Sequence, residues 1–352
     1  MPELKMNTIF KHSLLSITLL NIFSTSVLAQ SLTELTQPAS HLNIDNPIVL
    51  QRADPWIIKD PKTGCYQFIG TSPLFDQIEI RSACRINDLK LAESKVIWQK
   101  HSSGNMGAHI WAPELHYFND SWYIYFAAGE VEDPWRIRMY VLANTNTDPA
   151  QGEWQELGQI LTPTDSFSLD ATTFEHQGKR YLIWAQMNEP RTYNSALLMA
   201  QMNSPTSITG PIMTLTEPTL DWEMQGYKVN EGAAVLIRHG KVFVTYSGAA
   251  TDERYAMGLL WADANSDLMD AKNWHKSAEP VFSTKADIGR FGPGHNSFSV
   301  AEDGVTDLLI YHSRDYLKLQ GSPLSDPNRH ARARPIYWDA QGFPLFMNEL
   351  AD

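Results

Sequence analysis

The sequence predicts an all-β fold, a five-bladed β-propeller with four antiparallel strands in each blade. The first observation is a pattern that occurs five times: a polar or acidic head, a short apolar strand, a turn, and an aromatic strand. The second is its spacing, because the aromatic strands lie near Tyr66, Tyr123, Tyr181, Phe243 and Leu308, which are 57, 58, 62 and 65 residues apart. The third is a composition of 11% aromatic residues with 20 Gly and 20 Pro, which suits strands joined by many turns.

The repeated pair of strands begins at five places along the chain. A period of about 60 residues is too long for one hairpin and fits a four-stranded sheet with generous loops, so each copy is interpreted as one blade. The copies are ADPWIIKDPKTGCYQFIGTS from Ala53, IWAPELHYFNDSWYIYFAAG from Ile110, LDATTFEHQGKRYLIWAQM from Leu169, YKVNEGAAVLIRHGKVFVTYSG from Tyr227 and HNSFSVAEDGVTDLLIYHS from His295.

Four copies continue into a third strand, and three outer segments carry a tryptophan, at Trp98, Trp154 and Trp274. Near the end of the chain, ARARPIYWDAQGFPLF predicts a further strand that helps to close the ring. Loops of a propeller gather on its two faces, where binding residues are presented. The long loops are 130–136, 186–195, 249–256, 284–294 and 314–330.

The N-terminus has the pattern of an export signal. Lys5 and Lys11 precede the apolar run SLLSITLLNIFSTSVLA, which ends at Ala29 in small residues of the kind that a signal peptidase reads. We therefore predict a signal peptide at 1–29 and a single propeller domain at 30–352, in a secreted or periplasmic protein with no membrane attachment after cleavage. Met6 is an alternative start.

The charge balance limits the classes of partner. The formal net charge is −12, and no basic cluster is present to offset the charge of phosphate groups. The sequence therefore argues against nucleic acids and anionic membranes as partners. Neutral polymers remain open.

The two cysteines, Cys65 and Cys84, both lie in the first repeat. Cys65 opens the aromatic strand and Cys84 closes the next strand, so an antiparallel hairpin turning near residues 73–76 places them almost opposite each other. In an oxidising compartment this placement predicts an intrachain disulfide. Two free thiols are the alternative.

Three acidic residues stand at the heads of first strands: Asp54, Asp170 and Glu231. The first strand of each propeller blade lines the central axis, so we expect these heads to converge at one pole. A single acid at a strand start is usually a turn residue. Three carboxyl groups close together raise one another's pKa, which costs free energy. Such clusters of acids with raised pKa values are typical of functional sites.

Glycoside cleavage is the reaction that needs such a set of carboxyl groups. One carboxylic acid must be protonated to donate to the leaving oxygen, and an ionised one must activate water or attack the sugar. Glu231 has the least polar sequence context, which favours the acid role. Asp54 suits the base, and Asp170 is expected to hold the acid in place and tune its pKa.

The motifs RADPW, SLDATTF and KVNEGAAV, together with IWAPELH and GPGHNSF, resemble glycoside hydrolase family 43 from about Asn46 to the C-terminus. The resemblance implies inverting enzymes on a five-bladed propeller, with Asp54 matching the general base, Asp170 the pKa modulator and Glu231 the general acid. Inversion requires the Asp54 and Glu231 carboxyl groups to lie roughly 6.5–9.5 Å apart. The longer segments IWAPELHYF, WRIRMYVL and FSLDATTFEHQGKRYLIWAQ, together with DPNRH, resemble those of exo-acting α-L-arabinofuranosidases. Such enzymes act on arabinan or arabinose-decorated saccharides.

The resemblance also implies sugar contacts. Arg329 in DPNRH matches an arginine that faces the sugar, with Arg332 as the alternative register. Tryptophans could stack on sugar rings, although Trp184, on a regular aromatic strand, is favoured as propeller core. The other candidates for sugar contact are Trp56, Trp111, Glu114 and Gln186.

His295 in GPGHNSF matches a histidine of the central channel, which in relatives lies beside a bound cation, often calcium, or a water. Taken alone, His295 is more typical of a hydrogen-bonded structural histidine. No cluster of Cys, His and Asp has the spacing of a dedicated metal cage. We expect no required cofactor, and a structural Ca²⁺ stays open.

The sequence lacks the motifs of several other enzyme classes but leaves two kinds of rival function open. A phosphate-binding Gly-rich loop, a nucleophile elbow and HExxH are all absent from the sequence. The three acids are shared with β-xylosidases and endo-arabinanases, so these are rivals within the family. A propeller that binds carbohydrate without catalysis is the rival outside enzymes, and it predicts the loss of at least one acid.

Overall fold

The computed structural model describes residues 42–189, 191–348 and 350. The predicted signal peptide at 1–29 and the start of the predicted domain at residue 30 lie outside these residues. Within them, the chain forms five radial sheets, which confirms the predicted five-bladed β-propeller. None of the helices in the described ranges is long and apolar enough to cross a membrane.

Four blades are antiparallel four-stranded sheets whose strands follow one another in sequence order from the axis outward. The first comprises β1 (Ala53–Lys59), β2 (Tyr66–Thr71), β3 (Gln77–Ala83) and β4 (Lys95–Gln99). The second comprises β5 (Ala108–Phe118), β6 (Ser121–Gly129), β7 (Arg138–Asn144) and β8 (Gln155–Gln159). The third comprises β9 (Ser168–His176), β10 (Lys179–Gln186), β11 (Ala196–Ser204) and β12 (Ser207–Thr216). The fourth comprises β13 (Asn230–Arg238), β14 (Lys241–Gly248), β15 (Ala256–Asp263) and β16 (His275–Lys276).

The fifth blade differs, because its own sheet has three strands. The N-terminal segment takes the outer position: Ala331 bridges Val49, and the Asn46 side chain exchanges two hydrogen bonds with the backbone of Ala333, at 2.7 and 2.9 Å. The chain therefore closes its ring by joining its beginning to its end, as propellers commonly do. The strands are β17 (Phe291–Val300), β18 (Asp307–Arg314) and β19 (His330–Pro335), followed by the hairpin β20 (Tyr337–Trp338) and β21 (Pro344–Leu345).

The hydrophobic core is divided into five clusters that lie mainly between neighbouring blades. Alternate residues of a strand point to opposite faces, so the apolar second strands supply both neighbouring layers. On β10, for example, Ile183 faces the fourth blade and Trp184 faces the second. Short 3₁₀ helices lie in the loops, at Ile86–Lys90, Asp221–Met224, Ala271–Asn273 and Ala286–Ile288.

Cys65 and Cys84 form the predicted disulfide, with Cα atoms 4.0 Å apart. Tyr66 pairs with Ala83 in the β2–β3 ladder, so the two cysteines are the next residues outward from a paired position. The disulfide therefore closes the open end of this hairpin in the first blade. The expectation of a bridge rather than free thiols is confirmed.

Candidate active site

Each inner strand has the same irregularity at its head. Each inner strand has at least one residue with a left-handed backbone near its head, and the pairing with the second strand shifts register there; β5 and β17 have two such residues each, the additional ones being His109 and Gly292. Such bulges re-aim side chains and are frequent beside active sites. The left-handed residues nearest the carboxylates, with φ values of 52°, 44°, 55°, 59° and 40°, are Asp54, Ala112, Asp170, Gly232 and His295.

Asp54 on β1 is buried among donors. Its Oδ2 accepts the Thr71 hydroxyl at 2.6 Å, and its Oδ1 lies 3.4 Å from an Arg329 guanidinium nitrogen and 3.3 Å from His295 Nδ1. Its backbone N–H donates to His312 Nδ1 at 3.0 Å. Burial alone would raise the pKa of Asp54, but the Arg329 charge and the Thr71 hydrogen bond, together with His295 and His312 where their rings are protonated, outweigh it and hold that pKa well below its usual range.

The permanent positive charge beside Asp54 is that of Arg329. Burial lowers the pKa of both His295 and His312, so neither ring is protonated at neutral pH. The arginine guanidinium stays charged at any working pH. Asp54 is therefore an ionised carboxylate near neutral pH.

Glu231 on β13 has the opposite electrostatic environment. Burial raises the pKa of Glu231 to about 7, a hydrogen bond from Tyr255 limits the rise, Asp54 adds to it and Arg329 opposes it. The Tyr255 hydroxyl donates to Oε1 at 2.8 Å. Tyr255 also stacks on His312, with ring centroids 5.7 Å apart and planes within 5°. Glu231 therefore retains its proton much further up the pH scale than an ordinary glutamate does.

Asp170 on β9 lies next to Glu231 and is buried. Its Oδ2 accepts the backbone N–H of Gly232 at 3.0 Å. Burial raises the pKa of Asp170 well above its usual range, and the charges of Glu231 and Asp54 raise it further. Because Asp170 and Glu231 repel each other when both are ionised, the pair retains at least one proton near neutral pH.

Gly232 is required at its position for two reasons. Its φ of 59° disfavours other residues, and a Cβ atom there would lie 3.0 Å from Cγ of the His295 ring. A glycine therefore lets the backbone pass beside His295 and aim its N–H at Asp170. This explains the glycine that follows Glu231 in the KVNEGAAV motif.

One cavity of about 740 Å³ joins these groups, and residues of all five blades line it. Its size falls in the range that holds a small organic ligand. The structure thus brings together side chains more than a hundred residues apart in sequence. The predicted site residues in its lining are Asp54, Trp111, Asp170, Glu231, His295 and Arg329.

Arg329 and Arg332 differ in their position relative to the cavity. Arg329 lines the cavity and lies 3.4 Å from Asp54 Oδ1. Arg332, on β19, forms an ion pair with Asp315 and is absent from the cavity lining. Arg329 therefore stays the arginine that we predict to face the sugar.

Trp56 and Glu114 do not line the cavity. The Trp56 indole donates to the Leu115 carbonyl at 2.8 Å and packs on His116, with ring centroids 4.7 Å apart. Glu114 is buried with Oε2 3.0 Å from His116 Nε2. Burial raises the pKa of Glu114 well above its usual range, whereas it lowers the pKa of His116 to about 3. Both candidates therefore contact neighbouring strands outside the cavity lining rather than the cavity itself.

Gln186 also lies behind the cavity wall. Its amide nitrogen donates to the Thr164 carbonyl at 2.7 Å and to the Ser166 hydroxyl at 2.9 Å, and its oxygen accepts the Trp184 indole N–H at 2.8 Å. Ser166 lines the cavity, so the hydrogen bonds of Gln186 hold the segment that carries Ser166 in place without Gln186 itself lining the cavity. Trp184 is fully buried in the core, as its regular strand position favours.

His295 has the surroundings of a hydrogen-bonding residue. Its Nδ1 lies 3.3 Å from Asp54 Oδ1 and 3.9 Å from Asp170 Oδ2. Among residues 42–189, 191–348 and 350, no group of three or more His, Cys, Asp or Glu side chains could hold a metal ion. The protein side chains described here therefore do not fit a dedicated cation cage, and we assign no chemical step to a metal.

Four residues of the site were not predicted from the sequence: Thr71, Tyr255, His312 and Trp135. Thr71 ends an aromatic strand and His312 lies within one, so no feature of the neighbouring sequence indicates that either residue belongs to the site. Tyr255 and Trp135 lie in two of the loops expected on a propeller face. Loop position was therefore the available signal, but it did not single out these two side chains.

A sequence model of glycosyl hydrolases family 43 matches residues 44–344, which include every inner strand and all three carboxylates. The chain belongs to glycoside hydrolase family 43. Several carboxyl groups in one cavity are the arrangement that glycoside cleavage requires. The family resemblance of the motifs is therefore confirmed.

Two curated family relatives are similar along most of this chain. An extracellular exo-α-(1→5)-L-arabinofuranosidase of Streptomyces avermitilis is 50% identical over 318 residues, which are 90% of this chain and 66% of the relative. A protein of the same description from Streptomyces chartreusis is 49% identical over 279 residues, 79% of this chain and 85% of the relative. The chain thus spans slightly less than two thirds of the first relative's length.

A solved structure gives the same picture. The α-L-arabinofuranosidase of Lactobacillus brevis superposes with a TM-score of 0.83 at 47% identity, over 86% of this chain and 95% of that one. At this identity the similarity includes sequence as well as architecture.

Proposed function

We propose that this family 43 chain is a secreted or periplasmic exo-acting α-L-arabinofuranosidase that cleaves terminal arabinofuranosyl residues from arabinan or arabinose-decorated oligosaccharides with inversion. The descriptions of the two Streptomyces relatives and of the Lactobacillus structure support the sugar. The word extracellular in two of those descriptions supports export, together with the predicted signal peptide. Mass spectrometry of the N-terminus of exported protein tests the predicted cleavage after Ala29.

The observation that carries the proposal is the contrast between two carboxyl groups in one cavity. The environment of Asp54 holds its pKa well below the usual range, whereas the pKa of Glu231 is raised to about 7. A pair of carboxyl groups with separated pKa values can act as base and acid at the same pH. This division of roles is what glycoside hydrolysis requires.

The reaction follows from these protonation states. Asp54 accepts a proton from a water molecule as that water attacks the anomeric carbon. Glu231 donates its proton to the glycosidic oxygen as the bond to the leaving sugar breaks. The configuration at the anomeric carbon is inverted, the sugar departs as a free hemiacetal, and the aglycone departs as an alcohol.

Two neighbouring residues adjust the acid and the base. Asp170 and Glu231 repel each other when both are ionised, so this buried pair keeps at least one proton before reaction. Arg329 attracts the ionised form of Asp54, which keeps the base deprotonated. The two assignments use opposite charges to push the two pKa values apart.

The walls of the cavity support exo action. Loop residues from four blades rise around the carboxylates, among them Trp135, Phe167, Asn194 and Leu324. Walls on several sides suit a pocket that takes the end of a chain, whereas an internal segment needs a groove that is open at both ends. The endo-arabinanase alternative is therefore disfavoured, and release of arabinose alone from linear arabinan is the expected product pattern.

Leaving-group dependence tests the roles of the acid and the base. Glu231→Gln should abolish turnover of methyl α-L-arabinofuranoside but retain turnover of a dinitrophenyl α-L-arabinofuranoside, whose leaving group needs no proton. Asp54→Asn should abolish turnover of both substrates, because no group remains to activate water. The reverse pattern would exchange the roles, and full activity of either variant on the methyl glycoside would remove that residue from the mechanism.

The sugar itself is tested separately. Matched nitrophenyl α-L-arabinofuranoside and β-D-xyloside substrates, assayed with the same enzyme, should show a clear preference for the arabinofuranoside. A preference for the xyloside would identify a β-xylosidase on the same fold. Binding without turnover of either would favour the non-catalytic propeller.

A further inference from the structure

Trp135 is the one exposed tryptophan of this protein. The sequence has eleven tryptophans, all within the described residues, and the other ten are buried or half-buried. Trp135 is 59% exposed and lines the active-site cavity. A ligand that covered the Trp135 indole at this cavity would remove its exposed aromatic surface from water.

Hydrogen bonds of Arg136 and close packing against Gly129 hold the loop that carries Trp135. The Arg136 guanidinium donates to Glu130 at 2.9 Å, and the Arg136 N–H donates to the Asp133 carbonyl at 3.0 Å. A Cβ on Gly129 would lie 2.1 Å from the carbonyl oxygen of Pro134, so the close approach of the loop to β6 requires glycine. The exposure of Trp135 is therefore built into the loop.

A row of aromatic rings connects Trp135 with the inner part of the site. The His109 ring contacts both Trp135, at 4.8 Å between centroids, and Trp111, at 4.5 Å. The N–H of Ala112, next to Trp111, donates to the Thr71 hydroxyl that in turn donates to Asp54. The backbone next to Trp111 is therefore linked to Asp54 through Thr71, and the more exposed Trp135 lies beyond Trp111 in the cavity lining.

We propose that Trp135 binds the leaving-group side of the substrate, the pentose residue beyond the bond that is cleaved. This inference rests on the proposed function. Only one terminal sugar can lie against the carboxylates, and a cavity of about 740 Å³ is larger than one pentose needs. The apolar C–H face of the next sugar would cover the exposed indole, which removes apolar surface from water on both partners.

The proposal predicts an effect that depends on the leaving group. Binding energy from a remote part of the substrate favours the reaction only when that part is present. Trp135→Ala should lower kcat/KM for arabinotriose on the order of tenfold, or about 1.4 kcal/mol. The same variant should lower kcat/KM for methyl α-L-arabinofuranoside much less, because a methyl group does not cover the indole. The kcat/KM of Trp135→Phe for arabinotriose should lie between the values of the wild type and Trp135→Ala.

Trp261→Ala is the matched control. Trp261 stacks on His275, with ring centroids 5.4 Å apart, but does not line the cavity. Its loss should leave the ratio of the two kcat/KM values unchanged, whatever it does to stability. An unchanged ratio in Trp135→Ala, or an equal loss on both substrates, would overturn the proposal.

A binding measurement separates this inference from the proposed function. Calorimetry with arabinotriose on Glu231→Gln should give a dissociation constant that rises on the order of tenfold when Trp135→Ala is added. If the wild-type protein cleaved neither substrate, the proposed function would fail, while this comparison would still test Trp135. Equal dissociation constants, or no binding of arabinotriose to Glu231→Gln, would overturn the assignment of Trp135.

Discussion

The hydrogen bond from Tyr255 to Glu231 should set the upper pH limit of activity. The Tyr255 hydroxyl donates to Glu231 Oε1 at 2.8 Å, and it stabilises the ionised carboxylate more than the neutral acid. It therefore lowers the pKa of Glu231, against the larger effect of burial. Tyr255→Phe removes the donor and retains the ring that stacks on His312.

The size of the shift follows from the energy of this bond. A hydrogen bond to a charged group contributes about 1.5–3 kcal/mol. One pKa unit corresponds to about 1.36 kcal/mol, so the pKa of Glu231 should rise from about 7 by about 1–2 units in Tyr255→Phe. Activity requires protonated Glu231, so the alkaline limb of the pH profile should move to higher pH by the same amount. Turnover at the optimum should fall on the order of tenfold, because the carboxylate that forms during reaction loses its donor.

The assay is the pH dependence of kcat/KM, which reports groups of the free enzyme. Tyr246→Phe is the control, because Tyr246 is also buried and its hydroxyl donates to a carboxylate, Glu223, at 2.7 Å outside the cavity. Both variants should lose stability, but only Tyr255→Phe should move the alkaline limb. An unmoved limb, or the same shift in both variants, would refute the assigned role of Tyr255.

Three further changes test neighbouring parts of the account. Asp170→Asn should lower kcat and move the alkaline limb to lower pH, because a neutral amide does not repel ionised Glu231; unchanged kinetics would remove Asp170 from the site. Arg329→Gln should move the acidic limb to higher pH, because the pKa of Asp54 rises when the guanidinium is lost; an unmoved acidic limb would contradict this. Replacing Cys65 and Cys84 together by Ser should lower the free energy of unfolding by about 3 kcal/mol in a guanidinium titration, and equal stability would show that the disulfide does not stabilise the fold.

The fold and the three carboxylates were accessible from the sequence because repeats determine both. A blade of about 60 residues recurs with an apolar and an aromatic strand, and the ring places all first strands at the axis. Asp54, Asp170 and Glu231 could thus be assigned to one pole without knowledge of any side-chain orientation. The fifth blade was less accessible, because its outer position is filled through Val49 from the other end of the chain.

The exact orientation of side chains near the axis was not accessible. The left-handed residue in each inner strand interrupts the alternation of faces, so counting by two along the strand fails next to the site. Glu114 and His116 share one face and pair with each other between blades, and Trp184 and Gln186 do the same. Glu114 and Gln186 therefore lie near the pole expected from the sequence, but outside the cavity lining.

The contacts of Tyr255 illustrate a second limit. The residue comes from the loop after β14, and its partners Glu231 and His312 come from β13 and β18. Nothing local to a tyrosine in a loop indicates that its hydroxyl will meet a carboxylate. Such contacts are determined by how the blades are arranged, and they appear only in the folded chain.

The stereochemistry of the product tests the central claim most directly. Proton NMR can follow the anomeric signal of arabinofuranose in the first minutes of hydrolysis of an α-linked substrate, before mutarotation mixes the anomers. If Asp54 activates water while Glu231 protonates the leaving oxygen, the first product is the β-anomer. An α-anomer as first product would mean a covalent intermediate and two displacements, and it would contradict the assignment of Asp54 as a general base.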